Sequence, residues 1–378
     1  MRSPWLLLLL ASAATVGCNG ALASSSSGAA EQSGGPQPAT SSSPGATPLP
    51  SGPADGTSTV LARLDGSYIE SMTADATMLY LGRDGQIMAV PKAGGVVKMI
   101  FEEPPEARSA TAGIAVDDTH VYFSGSGGRV VSRVPKGGGA RELLASNVDY
   151  PQQIAIDSTH VYVAMNGTGP AGTTPTGAIV RIPKAGGPIE ELAKNQHFPG
   201  AIAIDGANVY FANSADDYLA GPDGSIARVP KTGGAVEVLT NEVVGEAKQI
   251  VIAGGSLFYV GRQSHALTRV PLTGGSPTTA LPSSLELTLA TDGSSLFATS
   301  FAVGSKDATL LRLDLAGRTL GTLAAWSYPD AKPPQVYPGV AFAYGALVSV
   351  IDATHVYWAD YEDDSRGGTR ISVRSASH

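Results

Sequence analysis

Apolar residues in this chain alternate in short runs, and the runs recur. The segments "DDTHVYFSG" (117–125), "DSTHVYVAM" (157–165) and "DATHVYWAD" (352–360) are nearly one phrase. Ahead of the first two stands an apolar stretch such as "IAID". Behind them comes a stretch ending in "RVPK" or "RIPK", a Gly pair, and a further apolar run. Period-two alternation of β-branched and aromatic residues predicts half-buried strands. The same frame fits from Thr73, Ile202, Ile250 and Leu289. Its anchor positions are Asp75, Asp117, Asp157, Asp205, Ala253, Asp292 and Asp352, spaced by 42, 40, 48, 48, 39 and 60 residues. Four short strands per unit at a period of roughly 40–50 residues predict an all-β, seven-bladed β-propeller.

Each link in the unit has a local cause. The anchor Asp can accept a hydrogen bond from backbone two residues on and so reverse the chain. In the "PKxGG" turns, Pro91, Pro135, Pro183 and Pro230 fix φ, and the following glycines supply positive φ. The last unit, "GGTRISVRSASH", stops after a third strand, while "STVLARLDG" (58–66) is a strand with no unit of its own. The expectation is that this N-terminal strand completes the last blade and closes the ring, removing two sheet edges. The propeller domain is therefore placed at 58–378.

The first 57 residues differ in character. "MRSPWLLLLLASAATVGCNG" holds one early base, Arg2, and an apolar stretch from Trp5 to Val16. That stretch is shorter than the roughly 20 residues a membrane helix needs, and it reads as a signal peptide over 1–17. Residues 18–57 are rich in Ser, Gly, Pro and Ala and carry too little apolar surface to offset chain entropy, so a disordered tether is expected. The 378 residues include a single cysteine, Cys18, which excludes an intrachain disulfide. Net charge is −8, or −9 without Arg2. Such a balance argues against nucleic acid and against electrostatic attraction to anionic lipid.

Two resemblances follow from these residues. "TVGC", with Gly17 and Cys18, resembles the lipobox of bacterial lipoproteins. That implies a lipid on Cys18, membrane anchoring and an envelope location at the outer membrane or periplasmic face. "IDATHVYWAD", with Tyr357, Trp358 and Asp360, resembles the YWTD repeat of propellers in the low-density lipoprotein receptor group. The remaining units are similar to NHL-like and Tol-type bacterial propellers. YWTD rings have six blades, against seven units here. Members of these families are mostly binding modules.

No nucleophile or metal signature stands out. His120, His160 and His355 share a repeat position that holds Met78, Asn208, Ser256 and Ser295 elsewhere, so they read as turn residues. The recurrent Arg133, Arg181, Arg228, Arg269 and Arg312 are expected to pack between blades and pair with a neighbour's carboxylate. The Asp turns and "PKxGG" turns fall on one rim of the ring, with Lys92, Lys136, Lys184 and Lys231. The other rim carries every long insertion, and loops on rigid scaffolds carry function. That rim collects Glu102, Glu103, Glu106, Asp149, Asp216, Asp217, Asp223, Asp360, Glu362, Asp363 and Asp364 with few bases, alongside Tyr150, Phe198, Tyr218, Tyr328, Tyr337 and Tyr361. The candidate binding residues are Asp216, Asp217, Tyr218, Asp223, Asp360, Tyr361, Glu362, Asp363 and Asp364. No cofactor is expected. Acidic oxygens could take calcium, although the spacing matches no EF-hand loop. The leading expectation is a non-catalytic scaffold for an envelope protein or glycan. The alternative is a lyase or hydrolase at the channel mouth, with Asp or Glu and His197 as acid–base groups.

Overall fold

The computed structural model describes residues 58–378 apart from 67, 169–174, 215–223, 244–246, 262–263, 265, 283–284, 303–306, 328–347 and 364–368. Within them, strands form seven antiparallel sheets of four strands each. Blade 1 consists of Ser71–Ala74, Met78–Arg83, Gln86–Pro91 and Lys98–Glu102. Blade 2 consists of Thr111–Val116, His120–Gly125, Val130–Pro135 and Glu142–Ser146. Blade 3 takes Pro151–Ile156, His160–Met165, Gly177–Pro183 and Glu190–Gln196, and blade 4 takes Pro199–Ile204, Asn208–Asn213, Gly224–Pro230 and Glu237–Val243. Blade 5 is Ala247–Ala253, Ser256–Gly261, Leu267–Pro271 and Thr278–Leu281. Blade 6 is Leu285–Thr291, Leu296–Ala302, Asp307–Leu313 and Thr319–Ser327. Blade 7 is Ser349–Ile351, His355–Asp363 and Thr369–Ser377, with Thr59–Asp65 hydrogen-bonded outside them. The first strand of each blade lies beside that of the next, and blade 7 returns to blade 1. The domain is a closed seven-bladed β-propeller.

Its core is a set of seams. Seven clusters of buried apolar residues each combine side chains from two adjacent blades. The aromatic five residues after each anchor faces the following blade: Tyr80, Tyr122, Tyr162, Tyr210, Phe258, Phe297 and Tyr357, all buried. A sheet buried on both faces has nothing else to pack on, so one seam design repeats around the ring.

The anchor Asp ties turn to seam. In blade 2, Asp117 Oδ1 accepts from the backbone N–H of Thr119 and of His120, both at 2.9 Å, and Oδ2 accepts from Tyr122 Oη at 2.8 Å. Asp75, Asp157, Asp205 and Asp352 repeat this arrangement with Tyr80, Tyr162, Tyr210 and Tyr357. In blade 5, where Ala253 stands in place of Asp, Gly254 and Gly255 both have positive φ (51° and 72°) and join Ala253 to Ser256 as a two-residue hairpin.

The turn lysines, which the sequence places on one rim partly offset by the turn Asp residues, complete the seams. Each reaches back to the Asp of the preceding blade: Lys92 to Asp352 at 2.7 Å, Lys136 to Asp75 at 2.5 Å, Lys184 to Asp117 at 2.9 Å, and Lys231 to Asp157 at 3.3 Å. The same ammonium groups lie over the rings of Tyr357, Tyr80, Tyr122 and Tyr162, 4.8–6.0 Å from their centroids. Burial alone would raise these carboxyls, but hydrogen bonds from backbone, Tyr and Lys hold them well below the ordinary range. The tyrosines are pushed up by burial and by the adjacent carboxylate.

The arginines behave differently from the expectation of a neighbour's carboxylate. Arg133, Arg181 and Arg228 pair with Glu142, Glu190 and Glu237 of their own blades. What they reach next door is a carbonyl, of Lys184, Lys231 and Leu272 respectively, at 2.6–2.9 Å. A planar guanidinium can serve the in-blade carboxylate and the neighbouring carbonyl at once. Arg269 and Arg312 instead donate to Ser256 and Ser295 within their blades.

Blade 7 carries the junction of the chain's two described ends. Thr59–Asp65 runs antiparallel to Thr369–Ser377, with Thr59 opposite Ser375 and Asp65 opposite Arg370. Arg374 donates to Asp360 Oδ2 at 2.9 Å and to Ser58 Oγ at 3.1 Å. Asp360, grouped with the rim carboxylates by sequence, is thus fully buried and ion-paired inside the blade. Its place is corrected on that ground: a carboxylate two residues after the buried Trp358 points to the same packed face.

Two expectations follow. Blade 5 holds Leu272 where blades 1–4 have Lys, with the same backbone bond (Leu272 N–H to Gly255 O, 3.0 Å), while Asp205 and Tyr210 stand ready in blade 4. Leu272→Lys should therefore stabilise the domain by about 1 kcal/mol, and Lys184→Leu should cost about 1.5–3 kcal/mol, read as urea midpoints. The four depressed carboxyls contribute stability that is complete above the unfolded value near pH ~4 and is lost as pH falls toward their lower folded values. Melting temperature should drop steeply below about pH 4 in the wild type, and the drop should flatten when Asp75, Asp117, Asp157 and Asp352 are all changed to Asn.

Candidate functional site

The rim opposite the Asp and Lys turns is built from blade-to-blade connectors and the loops between second and third strands. Its carboxylates are more compensated than the sequence suggests. Glu102 pairs with Arg108, Glu103 with Arg141, and Asp149 with Arg129. Two of these bases lie on the rim loops themselves, and Arg141 comes from the start of blade 2's outer strand. Cys18, Asp216, Asp217, Tyr218, Asp223 and Asp364 lie outside the described residues. Tyr361, Glu362 and Asp363 are placed by backbone on the strand His355–Asp363 of blade 7. His120, His160 and His355 each share a hydrogen bond with the preceding Thr at 2.8 Å and lie beside the blade's Tyr ring. Among the described residues, no group of three or more His, Cys, Asp or Glu is placed to hold a metal ion.

The most organised part of this rim lies over blades 3 and 4. The connector into blade 3 reads "NVDYP" (147–151), and that into blade 4 reads "NQHFP" (195–199). Both begin with an Asn in the left-handed region, Asn147 (φ 57°) and Asn195 (φ 55°). Both also place an aromatic there, Tyr150 (φ 48°) and Phe198 (φ 42°), immediately before the proline that opens the inner strand. Asn tolerates this conformation; a bulky aromatic does not without cost. Tyr150 is exposed and Phe198 half-buried.

Hydrogen bonds hold the two connectors. The N–H of Asn166 donates to Tyr150 O at 3.1 Å, that of Gly167 to Asp149 O at 3.2 Å, and that of Ser214 to His197 O at 3.1 Å. With its amide nitrogen turned toward blade 4, Asn166 also donates to Phe198 O and Pro199 O, both at 3.2 Å. One residue thereby fixes both aromatic connectors. Beneath them the seam is lined with amides. Asn213 Nδ2 donates to Gln196 Oε1 at 3.0 Å and Ser225 Oγ at 3.1 Å, and Gln153 Oε1 accepts from Ile202 N–H at 3.4 Å. Asn213 Oδ1 is buried and, among the described residues, accepts no hydrogen bond. The sequence reading noted Tyr150 and Phe198 only as loop aromatics. The signal that marks them is the repeated Asn-x-x-aromatic-Pro at a spacing of 48 residues.

A further carboxyl was not singled out by sequence. Glu70, half-buried just before blade 1's inner strand, accepts from Thr111 N–H at 2.5 Å and Asp84 N–H at 3.3 Å. Burial pushes its pKa up, against the lowering effect of the Thr111 bond. It links blade 1 to blade 2 at this rim.

No protein-family model matches this chain. No curated protein matches it by sequence either. Solved structures do share its architecture. YCF48 bound to a D1 peptide aligns with a TM-score of 0.53 at 12% identity, over 86% of this chain and 93% of that one. A chain of the nidogen/laminin complex aligns with a TM-score of 0.49 at 17% identity, over 65% of this chain and 93% of that one. Streptogramin B lyase aligns with a TM-score of 0.47 at 14% identity, over 69% and 82% respectively. At such identities the likeness is one of fold.

Backbone strain at Tyr150 gives a direct test. Tyr150→Gly removes an unfavourable left-handed aromatic and should raise stability by about 0.5–1 kcal/mol, whereas Tyr150→Ala keeps the strain and should change stability little. Thermal unfolding of the two variants beside wild type measures the difference.

Proposed function

We propose that the chain is a cell-envelope lipoprotein whose propeller serves as a non-catalytic binding scaffold on its insertion-bearing rim. The observation that carries the binding reading is the pair of strained aromatic connectors at Tyr150 and Phe198, held by Asn166. Strain retained at two equivalent positions needs a compensating role, and functional surfaces are where such conformations concentrate. The arginine pairing of Glu102, Glu103, Asp149 and Asp360 disfavours these four carboxyls as acid–base groups, since a general acid or base needs an available proton site. Asp216, Asp217, Tyr218 and Asp223, in the insertion that follows Ser214, are proposed contacts of the same partner. Tyr361, Glu362, Asp363 and Asp364 are proposed for the blade 7 side. Calcium is not required by this reading.

Anchoring rests on "TVGC" and on the tether at 19–57. Cys18→Ser should move the protein from the membrane to the soluble fraction, or leave its leader uncleaved, as read by fractionation and intact mass. A variant that stays membrane-bound and normally processed would overturn the lipid anchor. For the rim, a pull-down from envelope extract should lose its partners with Tyr150→Gly plus Phe198→Gly, and keep them with Lys98→Ala on the outer strand of blade 1. Retention by the double variant would mean that another surface is in use.

A further inference from the structure

The turn lysines have a counterpart in blade 7. Lys92, Lys136, Lys184 and Lys231 each donate their backbone N–H to the carbonyl two residues after their own blade's anchor Asp: Thr77, Thr119, Thr159 and Ala207, at 2.8–3.0 Å. In blade 7 that carbonyl is Thr354 O, and the N–H that meets it belongs to His378, at 3.2 Å. The strand register agrees. Pro91 opposes Met78, and Ser377 opposes His355, so Lys92 and His378 follow equivalent pairs.

The side chain also goes where a lysine would. Each turn Lys lies over the aromatic five residues after the preceding blade's anchor. Counting from Asp292 in blade 6 gives Phe297, and the His378 ring packs on it with centroids 4.7 Å apart and planes tilted by 57°. His378 Nε2 lies 3.0 Å from Asp352 O. A carbonyl only accepts, so Nε2 carries a hydrogen, and Nδ1 is the nitrogen left to gain or lose a proton. Burial would raise the Asp292 carboxyl, but hydrogen bonds from Ser295 and Ser294, with the charge of His378 added, hold it below the ordinary range. An anion and an aromatic face thus accompany the imidazole, the same pair that accompanies each turn ammonium.

A lysine stays charged through neutral pH, whereas an ordinary imidazole loses its charge near pH ~6.5. We infer that His378 is a proton-operated brace between blades 6 and 7: a cation that stands in for the turn Lys at mildly acidic pH and is withdrawn as the imidazole deprotonates. Its contribution is complete well below pH ~6.5 and is lost as pH rises through the imidazole range. From blade 6 the ring faces Asp292 and also Arg312, whose guanidinium lies 5.8 Å from the Phe297 centroid. From blade 7 comes Asp352, whose carboxylate is taken by Tyr357 and by Lys92 of blade 1. His355 lies beside Tyr357, on the face turned toward blade 1. His378, the last residue, adds its own main-chain carboxylate. Arg312 opposes a charge on the ring, but it donates to Ser295 and faces two anionic groups that favour that charge. Blade 7 is where the ring closes, so the proton sets how firmly the closing blade is held.

The seam carries its own reporter. Trp326 and Trp358 stack there with centroids 5.1 Å apart, packed in the cluster that holds Phe297. Thermal unfolding of the full-length chain compares wild type with two variants. His378→Gln keeps a donor for Asp352 O but no charge, and His378→Lys keeps the charge throughout. At about pH 5.5 wild type should melt about 2 °C above His378→Gln, and the gap should close by about pH 8.5. His378→Lys should stay above His378→Gln at both. Tryptophan emission of the folded protein should titrate in wild type with a midpoint near pH ~6.5 and stay flat in both variants. A gap between wild type and His378→Gln that is equal at the two pH values would overturn the brace, as would a His378→Lys variant no more stable than His378→Gln. A tryptophan titration that persists unchanged in His378→Gln would belong to another histidine and would overturn it too.

Discussion

A carboxylate that serves three masters sets the geometry of this protein. The anchor Asp caps its own turn through two backbone N–H groups, fixes the hydroxyl of a buried Tyr, and receives a Lys from the next blade. The first task makes a hairpin, the second orients the ring that fills the seam, and the third fixes the rotation between blades. Remove any one and the other two lose their reference point, because the oxygens are shared. Ion pairs of this kind gain from being partly shielded and multiply hydrogen-bonded, unlike the exposed pairs that contribute little. The arginines add a second link, from an in-blade Glu to a carbonyl across the seam.

Because this bracing occupies one rim, the opposite rim is released from it. There, connectors can vary in length and conformation without disturbing blade angles. Tyr150 and Phe198 illustrate the freedom: each takes a left-handed conformation that the braced rim reserves for glycine. The braces are also uneven. Leu272 and the Gly254–Gly255 hairpin leave the seams around blade 5 with apolar packing in place of the ionic link. Blade 6 continues the departure, with Phe297 where five other blades carry the Tyr that bonds an Asp.

The fold was legible because its causes are local. Asp117, Asp157 and Asp352 announce their turns within three residues, and the spacing of anchors reports the blade count without any long-range information. What sequence could not show is pairing across blades. Lys184 and Asp117 lie 67 residues apart, and nothing in either segment says that one reaches the other. Read alone, the lysines are a rim series that the turn Asp residues partly offset, with no blade assigned to either partner. Asp360 was misplaced for a related reason: in "YWADYEDD" it sits among carboxylates that share its composition but not its burial. The aromatic connectors were visible in "NVDYP" and "NQHFP", but only φ at Tyr150 and Phe198 distinguishes a strained platform from ordinary loop composition.

The outermost strand of blade 7 has a consequence for how the domain comes to exist. Thr59 pairs with Ser375, and Ser58 meets Arg374 across a sequence separation of 316 residues. A nascent chain emerging from the ribosome can assemble blade after blade, yet Thr59–Asp65 must wait unpartnered until Thr369–Ser377 is made. Contacts of such long range slow folding, since loop-closure entropy must be overcome before they form. Through that interval Thr59–Asp65 is a bare strand edge, open to pairing with other chains. Its alternating charges, Arg63 and Asp65, keep that waiting edge from being an apolar one.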